Sequence, residues 1–182
     1  MKFSLAADGD RPYQHARHFE LQRLRGGSSR LVVGLQSSPL SLVKDMVARL
    51  PGPFRVLYVL VVAGTDAYEP GRYECPVEFT LDRLTTFIDE FSAFFEGDGR
   101  HHLWVASASA GAVVYDRHEL IYAYGPLDDF ERVLASRGYK ETSVEVPAPH
   151  AHHYRAEFDS HLVRLMKRWH WRHSPLKPGD DV

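Results

Sequence analysis

Residues 54–63, Phe-Arg-Val-Leu-Tyr-Val-Leu-Val-Val-Ala, are almost continuously apolar and rich in valine. A run this short is strand-sized, and with hardly a polar side it has the pattern of a strand buried on both faces. It is expected to sit centrally in a sheet, with helices covering both of its sides. The rest of the chain must supply those layers.

The flanking patterns do so. Residues 19–25 alternate apolar and polar side chains, Gly26-Gly27-Ser28-Ser29 breaks the alternation, and 30–35 resumes it with Leu31, Val32 and Val33, the pattern of a hairpin. Ser38-Pro39 reads as an N-cap with proline at the first helical position, and Val43, Met46, Val47 and Leu50 share one face until Pro51-Gly52-Pro53 ends the helix. Thr80 opens the strongest helix, where Leu81, Leu84, Phe87, Ile88, Phe91, Phe94 and Phe95 recur at three- and four-residue spacing up to Gly97. Core packing accounts for that whole stripe. Residues 101–107, 111–115 and 119–124 read as successive strands, with Asp116-Arg117-His118 as the last turn, and short turns imply antiparallel pairing. A helix over 126–137 carries Asp128 and Asp129 at its positive end and Gly138 at its cap; 142–146 reads as a strand; a closing helix aligns Phe158, Leu162, Leu165, Met166 and Trp169. The expected fold is a single α+β domain over 1–182, a largely antiparallel mixed sheet of about seven or eight strands with four helices. Residues 1–12 and 175–182 are expected to be flexible ends.

A chain of 182 residues, 44% hydrophobic and 25% charged, can bury one core without a disulfide or structural metal. Cys75 is the one cysteine, which excludes an intrachain disulfide and agrees with a reducing compartment. The net charge of −2 offers no global field for nucleic acid or acidic membranes. No stretch approaches the roughly 18 to 20 apolar residues that span a bilayer, and the start of the chain lacks the apolar region of a secretory signal. Cytoplasmic residence is the expectation.

The densest chemistry lies in Pro147-Ala148-Pro149-His150-Ala151-His152-His153-Tyr154 and the following Phe158-Asp159-Ser160-His161, which hold four of the eleven histidines. In an extended segment His150 and His152 point to one side and His153 to the other. His150 and His152 can therefore face one ion, zinc or another divalent transition metal. Asp159, His161 or the turn residue His118 are the further ligands available by type. No His-Glu-x-x-His or Cys-x-x-Cys pattern accompanies them. The bland alternative is a set of imidazoles bonded to backbone or solvent.

Other constellations have structural explanations. Ser107-Ala108-Ser109-Ala110-Gly111 resembles a nucleophile elbow, but a strand follows it where an elbow needs a helix. Cys75 has no signature of an activated thiolate around it. Five basic residues between Arg164 and Lys177, interleaved with Trp169 and Trp171, suit phosphates and bases, yet a helix C-terminus already favours such cations. Nucleic acid is therefore disfavoured as a partner. The loop 65–76, with Tyr68, Arg72 and Tyr73, is expected to be an exposed contact surface, joined by His153 and Tyr154 as ligand- or partner-binding residues. Two functions remain. The first is a small cytoplasmic binding protein of regulatory or inhibitor type, with a protein or small-molecule partner and a histidine-rich site. The second is a zinc-type hydrolytic enzyme built on His150 and His152.

Overall fold

The computed structural model describes residues 1–5, 11–64 and 67–180. The strands are β1 (Phe3–Leu5), β2 (His18–Arg23), β3 (Ser29–Gly34), β4 (Phe54–Leu60), β5 (Gly71–Glu74), β6 (His101–Ser107), β7 (Gly111–Tyr115), β8 (Leu120–Tyr124), β9 (Lys140–Glu141), β10 (His150–His152) and β11 (Arg172–Ser174). The helices are α1 (Pro39–Val47), α2 (Leu81–Glu90), α3 (Ser92–Gly97), α4 (Leu127–Ser136) and α5 (Asp159–Lys167). Nine strands form one sheet in the order β11-β5-β4-β6-β7-β8-β3-β2-β9, antiparallel except for the β2/β9 pair, and β1 pairs with β10 in a second sheet. The α+β class holds. The described residues contain five helices and eleven short strands, more elements than the four and the seven or eight expected.

The two faces of the large sheet are built differently. Phe54, Val56, Tyr58 and Leu60 of β4 join Leu103, Val105, Val113, Tyr115, Ile121, Ala123, Leu31 and Val33 in one core with the apolar stripes of all five helices. On the other face Arg55 is exposed and Leu57 half-buried, while the buried Val32, Val59 and Val114 lie outside that core. The helices therefore cover one side of β4, not both. The apolar run misled because Val59 is buried by other means than a helix layer.

Several local readings hold, and the exceptions have physical causes. Thr80 accepts a hydrogen bond from Arg83 N (3.4 Å), and Gly138 at φ +76° ends α4 with Tyr139 N bonded to Leu134 O. The long helix is interrupted at Phe91 (φ −109°, ψ 12°), a fully buried ring held between Phe87 and Phe95, so tertiary packing outweighs one helical turn. Residues 142–146 form no strand. After Lys140–Glu141 the chain peels off β2: Val144 N is taken by the Glu20 carboxylate (3.2 Å) instead of a ladder carbonyl, and Val146 is delivered to a cavity on the open face.

Ser107 and Gly111 close the β6/β7 hairpin. Ser107 Oγ donates to Pro51 O (2.6 Å), and Gly111 adopts φ +138° where a Cβ would stand 1.9 Å from Tyr124 O. That explains the small residues without a nucleophile. Of the ends, 1–5 contribute β1, and Asp180 is buried against Arg72 (2.6 Å). No described helix is long and apolar enough to cross a membrane.

Candidate metal and ligand site

The site begins with a turn. Asp116 follows β7, and its Oδ1 accepts from the backbone N–H groups of His118 (2.8 Å) and Leu120 (2.9 Å), which folds the chain back into β8 with Glu119 at φ +58°. Asp116 Oδ2 then holds His118 Nδ1 at 3.1 Å. Burial works against the Asp116 charge, but the bonds from the His118 side chain and from Leu120 N–H keep its pKa below the ordinary carboxylate value. The carboxylate is thus occupied, and it orients the His118 ring with Nε2 pointing away from it.

The second contribution comes from β10. Its pairing with β1 sets Phe3 opposite His152 and Leu5 opposite His150, and the period of two turns both imidazoles to the same side. Phe3, fully buried, lies against the rings of His118, His150 and His152 at centroid separations of 6.1, 5.5 and 6.1 Å. His118, His150 and His152 come together so that one ligand nitrogen of each lies within 4.8 Å of the others. This group can hold a metal ion.

Hydrogen bonds assign some of the nitrogens. With Nδ1 of His150 donating to Pro147 O (2.9 Å), its Nε2 keeps a lone pair; His118, with Nδ1 on Asp116, does the same. His152 is different: its Nε2 accepts from Arg117 Nε (2.8 Å) and its Nδ1 is buried without a partner among the described residues. Burial, then the Arg117 guanidinium and the neighbouring His118 and His150, push the His152 pKa down to about 3. The ring is neutral at ordinary pH.

The cluster opens on a cavity of about 590 Å³ on the helix-free face, lined by Arg30, His102, Trp104, Tyr122, Tyr124, Val146 and Arg117 among others. Sheet register fixes its floor: Tyr122, Val114 and Trp104 stand in one transverse row across β8, β7 and β6, which Val32 of β3 and Leu57 of β4 continue on either side. His102 lies in the adjoining row, opposite Val59. Its burial lowers the pKa to about 4, and its Nε2, like Trp104 Nε1, is buried without a hydrogen-bond partner among the described residues.

Of the residues read from the sequence, His150 and His152 meet, and the turn residue His118 completes the group. Asp159 and His161 do not join it. Asp159 opens α5 and accepts from Arg100 Nη1 (2.7 Å), whose guanidinium is also clamped by the fully buried Asp98; His161 packs against Phe94 and Phe158. His153 is not part of the group: its backbone N–H donates to Lys2 O, and its Nε2 is buried without a partner among the described residues; Tyr154 is exposed and stacked on His152 at 6.4 Å.

In the loop 65–76, Thr65 and Asp66 lie outside the described residues. Tyr68 is partly buried against the core, Tyr73 is a core residue of β5 bonded to Glu69 O, and Arg72 pairs with Asp180. The exposure expected of Tyr73 does not hold, because 71–74 is a strand between β4 and β11. Burial raises the Cys75 thiol, the reverse of activation. Two of the five basic residues are engaged in pairs, Arg168 with Glu90 and Arg172 with Glu74.

Sequence reasoning missed Asp116, Arg117, His102, Trp104, Arg30 and Tyr122 as neighbours of the cluster. The Asp-Arg-His turn was the available signal, and only strand register brings in the others. No protein-family model matches the chain, and comparison with curated proteins and with solved structures finds no match.

Proposed function

We propose that this protein is a metal-dependent enzyme of hydrolytic type, with a divalent transition metal, zinc by preference, held by His118, His150 and His152. One observation carries the reading: nitrogens from a turn and a distant strand lie within 4.8 Å of one another at the mouth of a cavity. Tetrahedral zinc at bonds of about 2.0–2.1 Å places its ligand nitrogens roughly 3.3 Å apart, so side-chain adjustment without backbone movement closes the site. Three protein ligands leave a fourth position for water, whose pKa an ion of this kind lowers to about 7. Asp116 on His118 is the carboxylate partner that such ligands commonly have.

A second reading, a metal-free binding protein of regulatory or inhibitor type, is favoured by the Arg117–His152 bond, which engages one nitrogen of the cluster without an ion. The two differ in what Arg117 does. Whichever nitrogen of His152 takes a metal, the bond must break: at Nε2 the ion replaces the guanidinium, and at Nδ1 it forces the proton onto Nε2.

The test uses protein made without a histidine tag. Its metal content is assayed as purified, and melting is compared in chelator and in zinc. With free zinc at about 100 times Kd, stabilisation of about 2.7 kcal/mol raises Tm by about 5 to 11 °C in a domain of this size. His118→Ala and the His150→Ala/His152→Ala double variant should lose the response, and Arg117→Ala should bind zinc more tightly than the parent. Identical melting in chelator and zinc, with no stoichiometric metal, removes the enzyme reading.

A further inference from the structure

The cavity wall is unusual in what its polar atoms still lack. Arg30 donates through Nε and Nη2 to Gln22 Oε1 (3.1 and 2.9 Å) and through Nη1 to the Tyr124 hydroxyl (3.0 Å), and its guanidinium lies 4.5 Å from the centroid of the Tyr122 ring. All these partners are neutral. Among the described residues Arg117 donates only to His152 Nε2, which accepts through its lone pair. Among the described residues neither arginine meets a carboxylate, whereas the other arginines withdrawn from full exposure, Arg72, Arg100 and Arg137, all do.

A guanidinium has five N–H groups, so three bonds from Arg30 and one from Arg117 leave both with donors to spare. Trp104 Nε1 adds a buried N–H without an acceptor among the described residues. His102, 6% exposed, adds a buried Nε2 without a partner on the same wall. The nearest carboxylate, Asp116, has both oxygens engaged by His118 and Leu120. A wall rich in donors and in unpaired cationic charge is complementary to an oxyanion. Between these groups the floor is aromatic, Trp104 and Tyr122 flanking Val114 in one row, which is complementary to a flat apolar body.

We propose that the cavity binds a small organic anion composed of a flat ring and a carboxylate or phosphate group, the acid group facing Arg30 and Arg117 and the ring lying on Trp104 and Tyr122. The volume of about 590 Å³ suits a ligand of that size. As a statement of substrate class this rests on the metal-enzyme reading; as a statement of binding it stands on the cavity wall alone. The two are linked by Arg117, since an ion on His152 releases that guanidinium for the anion.

Benzoate and phenyl phosphate serve as ring-bearing anionic probes, benzyl alcohol as the uncharged ring and acetate as the ringless acid. Each is titrated calorimetrically into untagged protein, once after chelation and once after zinc loading. At least one ring-bearing anion should bind at least tenfold tighter than both benzyl alcohol and acetate in the chelated protein, and tighter again with zinc. Arg30→Gln should weaken it about tenfold or more, with Arg30→Lys as the charge-retaining control if the glutamine variant melts early, and Trp104→Phe should weaken it while leaving the fold intact.

Equal binding of benzyl alcohol overturns the anion assignment, equal binding of acetate overturns the ring, and no binding of either ring-bearing anion overturns the proposal. Anion binding that ignores zinc leaves the cavity assignment standing and counts against the metal. Stoichiometric zinc without anion binding does the opposite.

Discussion

His101 and His102 are consecutive residues of one strand, and they stand on opposite faces of the sheet. His101 is fully buried between Phe94, Tyr58 and Phe95, at centroid separations of 4.6, 5.3 and 5.6 Å, with neither ring nitrogen bonded to a side chain. His102 is almost as buried, yet it lines a cavity it shares with Arg30, Arg117 and Trp104. One face is covered by the chain's own helices, whose apolar stripes join it in one core. The other bears a cavity lined by Trp104, Val114 and Tyr122 from its central strands, with Val146 and His150 beside them. Burial alone does not distinguish a site from a core, and neither do unpartnered polar atoms, which His101 and Tyr58 also carry; the cavity and the arginines on its wall do.

The largest effect that tests this contrast is a pair of truncations. Phe95→Ala on the helix-covered face should cost about 3 to 5 kcal/mol, because the ring is fully enclosed and its neighbours cannot collapse into the space. Leu57→Ala on the open face, where the side chain is half-buried, should cost only about 1 kcal/mol. Urea denaturation of both variants measures the difference. Equal losses would mean that the two faces are packed alike.

The next effect is acid lability, which both histidines share. The fold holds His102 neutral down to about pH 4, and burial keeps His101 well below the ordinary imidazole value too, whereas the unfolded chain protonates near 6.5. Between those values the unfolded state binds more protons, so stability falls as pH drops from 6.5 towards 4. His102 alone contributes up to about 3 kcal/mol of that loss, and His15 and His152, also depressed, add in the same direction. Replacing His102 with glutamine should flatten the profile over that range. An unchanged slope in His102→Gln would show that the open face lets solvent reach that imidazole.

Legibility follows the same division. The helix-covered layer was readable because its rules are local: the phenylalanine spacing of α2 and α3, the Thr80 cap, the Gly138 ending and the antiparallel run β6-β7-β8 each follow from a few consecutive residues. The pairing of His150 with His152 was readable for the same reason, a period of two in an extended segment. The rest of the site was not. His118, Arg30, His102 and Trp104 meet only through the register of β3, β8, β7 and β6 and through the docking of β1 on β10, and no window of sequence contains that information. Asp159 and His161 were attractive by residue type, but one serves the buried Arg100 and the other packs on Phe94, contacts that an element-by-element reading does not resolve.

The smallest effect tests whether the helix-covered layer is as local as that account makes it. Ser38 reads as the N-cap of α1, yet it adopts φ +56° and makes no capping bond; the N–H of Leu40 is taken instead by Glu96 Oε1 (3.0 Å), from α3. A left-handed conformation costs a non-glycine residue roughly 1 kcal/mol, which is affordable where a distant carboxylate supplies the missing acceptor and complements the helix dipole. Glu96→Ala should therefore destabilise by about 1 kcal/mol, within the range for losing an N-cap. Ser38→Ala should change stability by less than about 0.5 kcal/mol, and Ser38→Gly should stabilise slightly by relieving the backbone. Thermal melts of the three variants decide it. If Ser38→Ala costs as much as Glu96→Ala, the serine hydroxyl caps the helix after all, and the layer is local throughout. If only Glu96→Ala is felt, the register of α3 against α1 is fixed by a tertiary bond at the point where the local signal pointed elsewhere.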